Sequence, residues 1–177
     1  MKHILNILLA ITIFSNYTYS QAYGPASPRD ETTGKITYQE VVELAGVSVS
    51  NLYERAKESF AKDYILKHTK FTTDDKTAGK VAGTCIYSVY IGGESSEIKF
   101  DINVAFKAGR YRYVITNFTY KTGIAEDSRV AFEATDLANK RAIYDANDLK
   151  MKKMLRALIS SMKQKSKAET AKASDDW

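Results

Sequence analysis

Sulfur, histidine and proline are scarce in this chain. Its 177 residues include one cysteine, Cys85, so no disulfide can form within the chain and the fold has to hold by packing. The two histidines, His3 and His68, together with that lone thiol are too few for a zinc centre, which takes several His or Cys ligands. Two prolines and nine glycines exclude a collagen-like or Pro/Gly-rich low-complexity chain. No apolar stretch approaches the ~20 residues of a membrane-spanning helix. The longest, residues 4–14 (ILNILLAITIF), would rise about 16 Å as helix against a hydrocarbon core of about 30 Å. Charge is not extreme either: 26 basic residues against 21 acidic ones leave a net of +5. Phosphate-cradling glycine loops and the strand-to-helix elbow that presents a catalytic serine are also absent.

What is present is a composition, 44% hydrophobic and 27% charged, that suits one domain with a real core. Residues 1–20 read as a secretory signal peptide: Lys2 supplies the positive end, residues 4–14 the apolar stretch, and Thr18-Tyr19-Ser20 the small residues that place a cut before Gln21. A transmembrane anchor is too long a structure for this stretch, and a buried core helix is out of place at the extreme end. No cysteine sits near the cut, so no lipid anchor is expected, and the chain is expected to be exported, periplasmic or secreted. The mature chain then carries no transmembrane segment and a net charge of +4, because only Lys2 is lost.

Residues 21–34 hold both prolines and form an irregular leader. Ile36, Tyr38, Val42 and Leu44 suggest a strand, Gly46 ends it, and Ser48 or Ser50 caps a helix whose stripe is Leu52, Tyr53, Ala56, Phe60 and Tyr64. A short strand over 70–73 follows, then a turn at 74–79 with Gly79 taking positive φ. Strand 80–91 comes next, then a hairpin connection at 92–96. Ile98, Phe100, Ile102, Val104 and Phe106 alternate with polar residues, the clearest period-two signal in the chain. With Ala108-Gly109 as the loop, Phe106 faces Tyr111, Val104 faces Tyr113 and Ile102 faces Ile115. The same register puts Asn117 inside, a conflict that a β-bulge near Thr116 resolves by returning Phe118 and Tyr120 to the core. Residues 122–147 are weakly patterned, with a helical turn or two over 135–144 anchored by Leu137 and Ile143. Residues 149–162 form a helix striped by Met151, Met154, Leu155, Leu158, Ile159 and Met162. Residues 164–177 read as a disordered basic tail. The fold class is α+β: a curved antiparallel sheet in the order β-α-β-β-β-β-α within residues 35–163, both helices on one face.

The run Tyr38-Gln39-Glu40-Val41-Val42 leading to Gly46-Val47-Ser48, the segment Leu52 to Ala56, the stretch Asp75-Lys76-Thr77-Ala78-Gly79-Lys80-Val81-Ala82-Gly83, and Phe106-Lys107-Ala108-Gly109-Arg110-Tyr111-Arg112-Tyr113 carry a resemblance. Through them residues 36–162 resemble an exported bacterial family, domain of unknown function 4468, described as having a TBP-like fold. The resemblance implies that fold and an envelope location, and it brings no known activity.

Candidate chemistry is thin. Cys85 lies in an apolar strand pattern and reads as a buried, inert thiol rather than a nucleophile or half of an intermolecular disulfide. The paired carboxylates Asp74-Asp75, Glu94 with Glu97, and Glu126-Asp127 fall in predicted turns, where acids bond local backbone. A hydrolase acting on envelope material through such carboxylates and His68 is the alternative function. Asn117-Phe118-Thr119 matches a glycosylation sequon that a bacterial chain would leave unmodified. The basic helix from Lys150 onward suits a solvated outer face better than a membrane surface. No cofactor or metal is expected. The favoured reading is a non-catalytic binding module that uses the sheet face away from the helices. Parity places Ile86, Tyr90, Lys99, Arg112 and Val114 there, an apolar, aromatic and cationic mix suited to an envelope protein or cell-wall ligand. Nucleic acid is rejected, because the charge is mild and spread out and export separates the chain from the genome.

Overall fold

The structure is a computed structural model and describes residues 27–91, 93–121, 128–134 and 141–174. The signal-peptide segment, the anchor Leu137 and the pair Glu126-Asp127 lie outside the described residues. The elements are β1 (Tyr38–Glu43), α1 (Val49–Lys62), β2 (Lys70–Asp75), β3 (Lys80–Ile91), β4 (Glu94–Lys107), β5 (Arg110–Lys121), β6 (Arg129–Ala131), α2 (Arg141–Met162) and α3 (Lys167–Ser174). The six strands make one antiparallel sheet in the order β1-β5-β4-β3-β2, with β6 also paired to β5. This is the α+β, TBP-like arrangement expected, with β6 as an added strand.

Alternation decides the layers. Val81, Cys85, Tyr87 and Val89 of β3, Ile98 to Phe106 at every second residue of β4, and Tyr111, Tyr113 and Ile115 of β5 are all buried. They join the stripes of α1 and α2 in one hydrophobic cluster. The β4–β5 register pairs Phe106 with Tyr111, Val104 with Tyr113 and Ile102 with Ile115, around the two-residue turn Ala108-Gly109, where Gly109 takes φ +76°. The expected bulge is there. Lys99 faces Thr119 while Asp101 faces Thr116, so β5 carries one extra residue. Asn117 absorbs it at φ +57°, and Phe118 and Tyr120 return to the core.

Ser48 caps α1, its Oγ accepting the Asn51 N–H at 3.2 Å. Tyr64 does not extend the α1 stripe: it is 71% exposed. The helix stops at Lys62 because Asp63 turns extended, and its Oδ1 accepts the N–H groups of Ile65 and Leu66. Those two residues enter the core in place of Tyr64. The β3–β4 connection is shorter than expected, since Ile91 pairs with Glu94 across two residues and strand pairing overrides the weak β preference of Ser95 and Ser96.

α2 begins at Arg141, eight residues before the expected start of the helix at Leu149. Tyr144, Asn147 and Asp148 occupy the buried face there because each finds a partner. Tyr144 Oη donates to the Phe132 carbonyl, Tyr87 Oη to Asn147 Oδ1, and Tyr38 Oη to Asp148 Oδ1 at 2.7 Å. The expected disordered tail is corrected at residues 167–174, which form α3. Glu169 grips Arg55 of α1 through two hydrogen bonds of 2.7 and 2.8 Å, and Arg55 also donates to the Met162 carbonyl. No helix among the described residues is long and apolar enough to cross a membrane.

Candidate functional site

The sheet face away from the helices carries the residues that alternate with the core. Across it run Gln39 and Val41 of β1, Arg112, Val114 and Thr116 of β5, and Lys99, Asp101, Asn103 and Ala105 of β4. Thr84, Ile86, Ser88 and Tyr90 of β3 complete the face. At its middle the face is hollowed into a concavity of about 460 Å³ bordered by Thr84, Asp101, Asn103, Val114, Thr116 and Asn117.

The bulge builds the floor of this hollow. In left-handed backbone the Asn117 side chain turns back over the face, and Nδ2 donates to Asp101 Oδ2 at 2.8 Å. Thr84 Oγ1 donates to the other carboxylate oxygen at 2.9 Å, so Asp101 is held from both neighbouring strands. Lys35 Nζ donates to Asn117 Oδ1 at 2.9 Å, and the hydroxyls of Thr37 and Thr116 meet at 3.2 Å. The result is a fixed polar cradle with a carboxylate at its centre and an ammonium at its rim. A non-glycine residue held at positive φ costs free energy that the surrounding structure must supply, and such residues gather at functional sites.

The five residues singled out by parity do lie on this face, but they do not form one site. Ile86 and Lys99 face each other directly, and Val114 borders the central hollow. Arg112 lies further along, its Nη2 donating to Gln39 Oε1 at 2.8 Å beside a second hollow of about 400 Å³ with Val41, Ala105, Lys107 and Arg110. Tyr90 pairs with Ser95 at the opposite hairpin tip, whereas Arg112 pairs with Ala105, which separates the two by roughly 30 Å along the strands. The alternation that puts those five residues on the face puts Asp101, Thr84 and Thr116 there too, but it does not show their convergence. The clue was the register conflict at Asn117.

The paired carboxylates do not converge. Asp74 is engaged by Tyr53 Oη at 2.5 Å and Lys57 Nζ at 2.6 Å, which holds its carboxyl below the usual range. Asp75 accepts the Ala78 N–H. Glu97 shares a third hollow, of about 400 Å³, with His68 and Tyr64, but the Arg129 guanidinium engages it and no second carboxylate among the described residues lines that hollow. Burial pushes the Cys85 thiol up to about 11, against a smaller opposing effect of Thr69, so its thiolate is scarce at neutral pH.

Two solved structures share the architecture. A TBP-like protein from Parabacteroides distasonis superposes with a TM-score of 0.61 at 13% identity, covering 79% of this chain and 99% of its own. A protein of the same domain family from Bacteroides ovatus superposes with a TM-score of 0.59 at 12% identity, covering 80% and 92%. None of the curated proteins matches the sequence. The family model described as domain of unknown function 4468, with TBP-like fold, matches residues 38–121, the span from β1 to the end of β5 that builds the open face. Over that span, a little under half of the chain, the sequence matches the domain of unknown function 4468 family.

Proposed function

We propose that the protein is exported and acts as a non-catalytic binding module, holding an envelope protein or a cell-wall ligand against the open face of its sheet. The observation that carries this reading is the cradle at Asp101 and Asn117: a strained bulge, a carboxylate fixed from two strands and a lysine at the rim, gathered in a hollow that the helices leave uncovered. The bulge also returns Phe118 and Tyr120 to the core, but the hydrogen bonds of the cradle lie outside the core and are not needed to fill it. A ligand of the cradle would combine a hydrogen-bond donor for Asp101 with an acceptor for Lys35.

The mixed sign of the face, with Asp101, Glu97 and Glu43 among its cations, argues against nucleic acid, whose phosphates select dense basic stripes. A TBP-like fold does not carry a DNA-binding role with it. The hydrolase alternative retains one supporting observation, His68 and Glu97 in a single hollow. Among the described residues that hollow lacks the second carboxylate that acid–base hydrolysis of a glycosidic bond requires.

Asp101→Asn and Asn117→Gly test the proposal. Each should leave the melting curve nearly unchanged while reducing recovery of the ligand from envelope extracts at least tenfold. Undiminished recovery by both variants would overturn the reading.

A further inference from the structure

The long hairpin strand β3 outruns its neighbour. β2 pairs with it only between Lys80 and Thr84, so residues 85–91 have no strand partner on that side among the described residues. The Ser88 carbonyl shows what such an edge wants: it accepts a hydrogen bond from Lys150 Nζ at 2.6 Å, a side chain reaching round from α2. In an antiparallel strand a residue's N–H and C=O point the same way, so the Ser88 N–H faces this open edge too. A row of such groups is a template for another strand.

The surroundings fit a strand. The hollow of about 400 Å³ that holds His68 runs along the edge between the segment after α1 and Ile86 and Ser88 of β3. Tyr64, 71% exposed, lines it, and Tyr90, 76% exposed, lies two residues beyond Ser88 on the same strand. Cations outnumber the acids there, which include Glu97 in the hollow and Asp63 close enough to act on Cys85. Lys67 lies 4.9 Å from the Tyr64 ring, Lys70 lines the hollow, Lys150 caps the edge and Lys99 stands opposite Ile86. The acid in the hollow, Glu97, is engaged by Arg129.

We infer that residues 85–91 of β3 accept an extended acidic segment of a partner protein as an added strand. Its backbone would take the edge groups of Ile86, Ser88 and Tyr90, displacing Lys150 from the Ser88 carbonyl. Its carboxylates would meet the freed Lys150 together with Lys67 and Lys70, and its alternate apolar side chains would pack beside Tyr64 and Ile86. This is an edge site, separate from the cradle on the face.

The test titrates the protein, as recovered from cells, with a fluorescent, end-capped heptapeptide of alternating valine and glutamate, and with its valine–lysine counterpart. The acidic peptide should bind saturably and at least tenfold more tightly than the basic one. It should protect the amides of Ile86, Ser88 and Tyr90 from hydrogen exchange. Ser88→Pro removes an edge N–H without touching the β4 ladder, and should weaken binding at least tenfold with the melting curve kept. If that variant does not fold, Lys67→Glu with Lys70→Glu, both at exposed positions, should show the same loss. Equal binding of the two peptides, protection confined to β4 and β5, or full binding by the variants would overturn the inference. So would a concentration-dependent dimer that Ser88→Pro abolishes, which would make the occupant a second copy of the chain. Cradle variants should leave peptide binding intact, so failure of one site is distinguishable from failure of the other.

Discussion

Asn117 shows how one residue can serve the core and the face together. The extra residue in β5 is what returns Phe118 and Tyr120 to the interior, and the same left-handed backbone swings the amide onto Asp101. Asn117→Gly should change stability by less than about 1 kcal/mol, because relief at positive φ offsets two exposed hydrogen bonds. Asn117→Val should cost about 1–3 kcal/mol in chemical denaturation, because a β-branched side chain is poorly tolerated at φ +57°. Glu169 makes a second residue-scale prediction. The Arg55 guanidinium holds its carboxyl down to about 2, against an ordinary value of 4.5. The unfolded chain therefore takes up the proton first as pH falls. The stabilisation is complete above about pH 4.5 and is lost progressively down through pH 2. Glu169→Gln should cost about 2 kcal/mol at neutral pH and flatten the acid limb of a stability–pH curve. That cost lies below the one expected in a deep core, because an eight-residue helix can detach and rehydrate both charges. The sequence pointed to Asn117 because pairing arithmetic forced a contradiction there. It was silent on Glu169, whose partner lies more than a hundred positions away.

At the scale of elements, what was legible followed the periodicity. β3, β4 and β5 alternate over ten or more residues each, and a two-residue loop fixes the register of the last two, so faces and partners could be read directly. The elements that escaped rest on partners rather than on pattern. The first two turns of α2 bury Tyr144, Asn147 and Asp148, polar residues that look like a surface until Tyr38, Tyr87 and the Phe132 carbonyl stand opposite. β6 is three residues long, and the 3-10 turn after it contributes Phe132, fully buried among Phe118, Tyr120 and Tyr144. Phe132→Ala should destabilise the protein by about 3–5 kcal/mol in thermal or denaturant melts, as removal of a core ring does. Gly83 is where β2 docks on β3: a Cβ there would stand 2.5 Å from the Lys70 carbonyl and 2.7 Å from Thr69 Cγ2. Gly83→Ala should push β2 off, costing about 1–3 kcal/mol and accelerating amide exchange along β2 more than along β4.

For the whole molecule, the division of labour between the faces of one sheet organises the account. One face buries a continuous aromatic and aliphatic layer under α1 and α2. The other keeps its hydrogen-bonding groups in shallow hollows. The export reading belongs to the same scale: protein recovered from the native cell should have an intact mass corresponding to a chain that begins at Gln21, and an uncleaved chain would remove it. The composition of the open face was legible from parity alone. Its grouping into hollows was not, because curvature and the bulge decide which neighbours converge. The most direct measurement is photo-crosslinking in living cells from two positions of otherwise native protein, Asn103 on the floor of the open face and Arg156 on the outer surface of α2. The account predicts a discrete adduct from Asn103 that Asp101→Asn removes and none from Arg156; an adduct from Arg156 alone would contradict it.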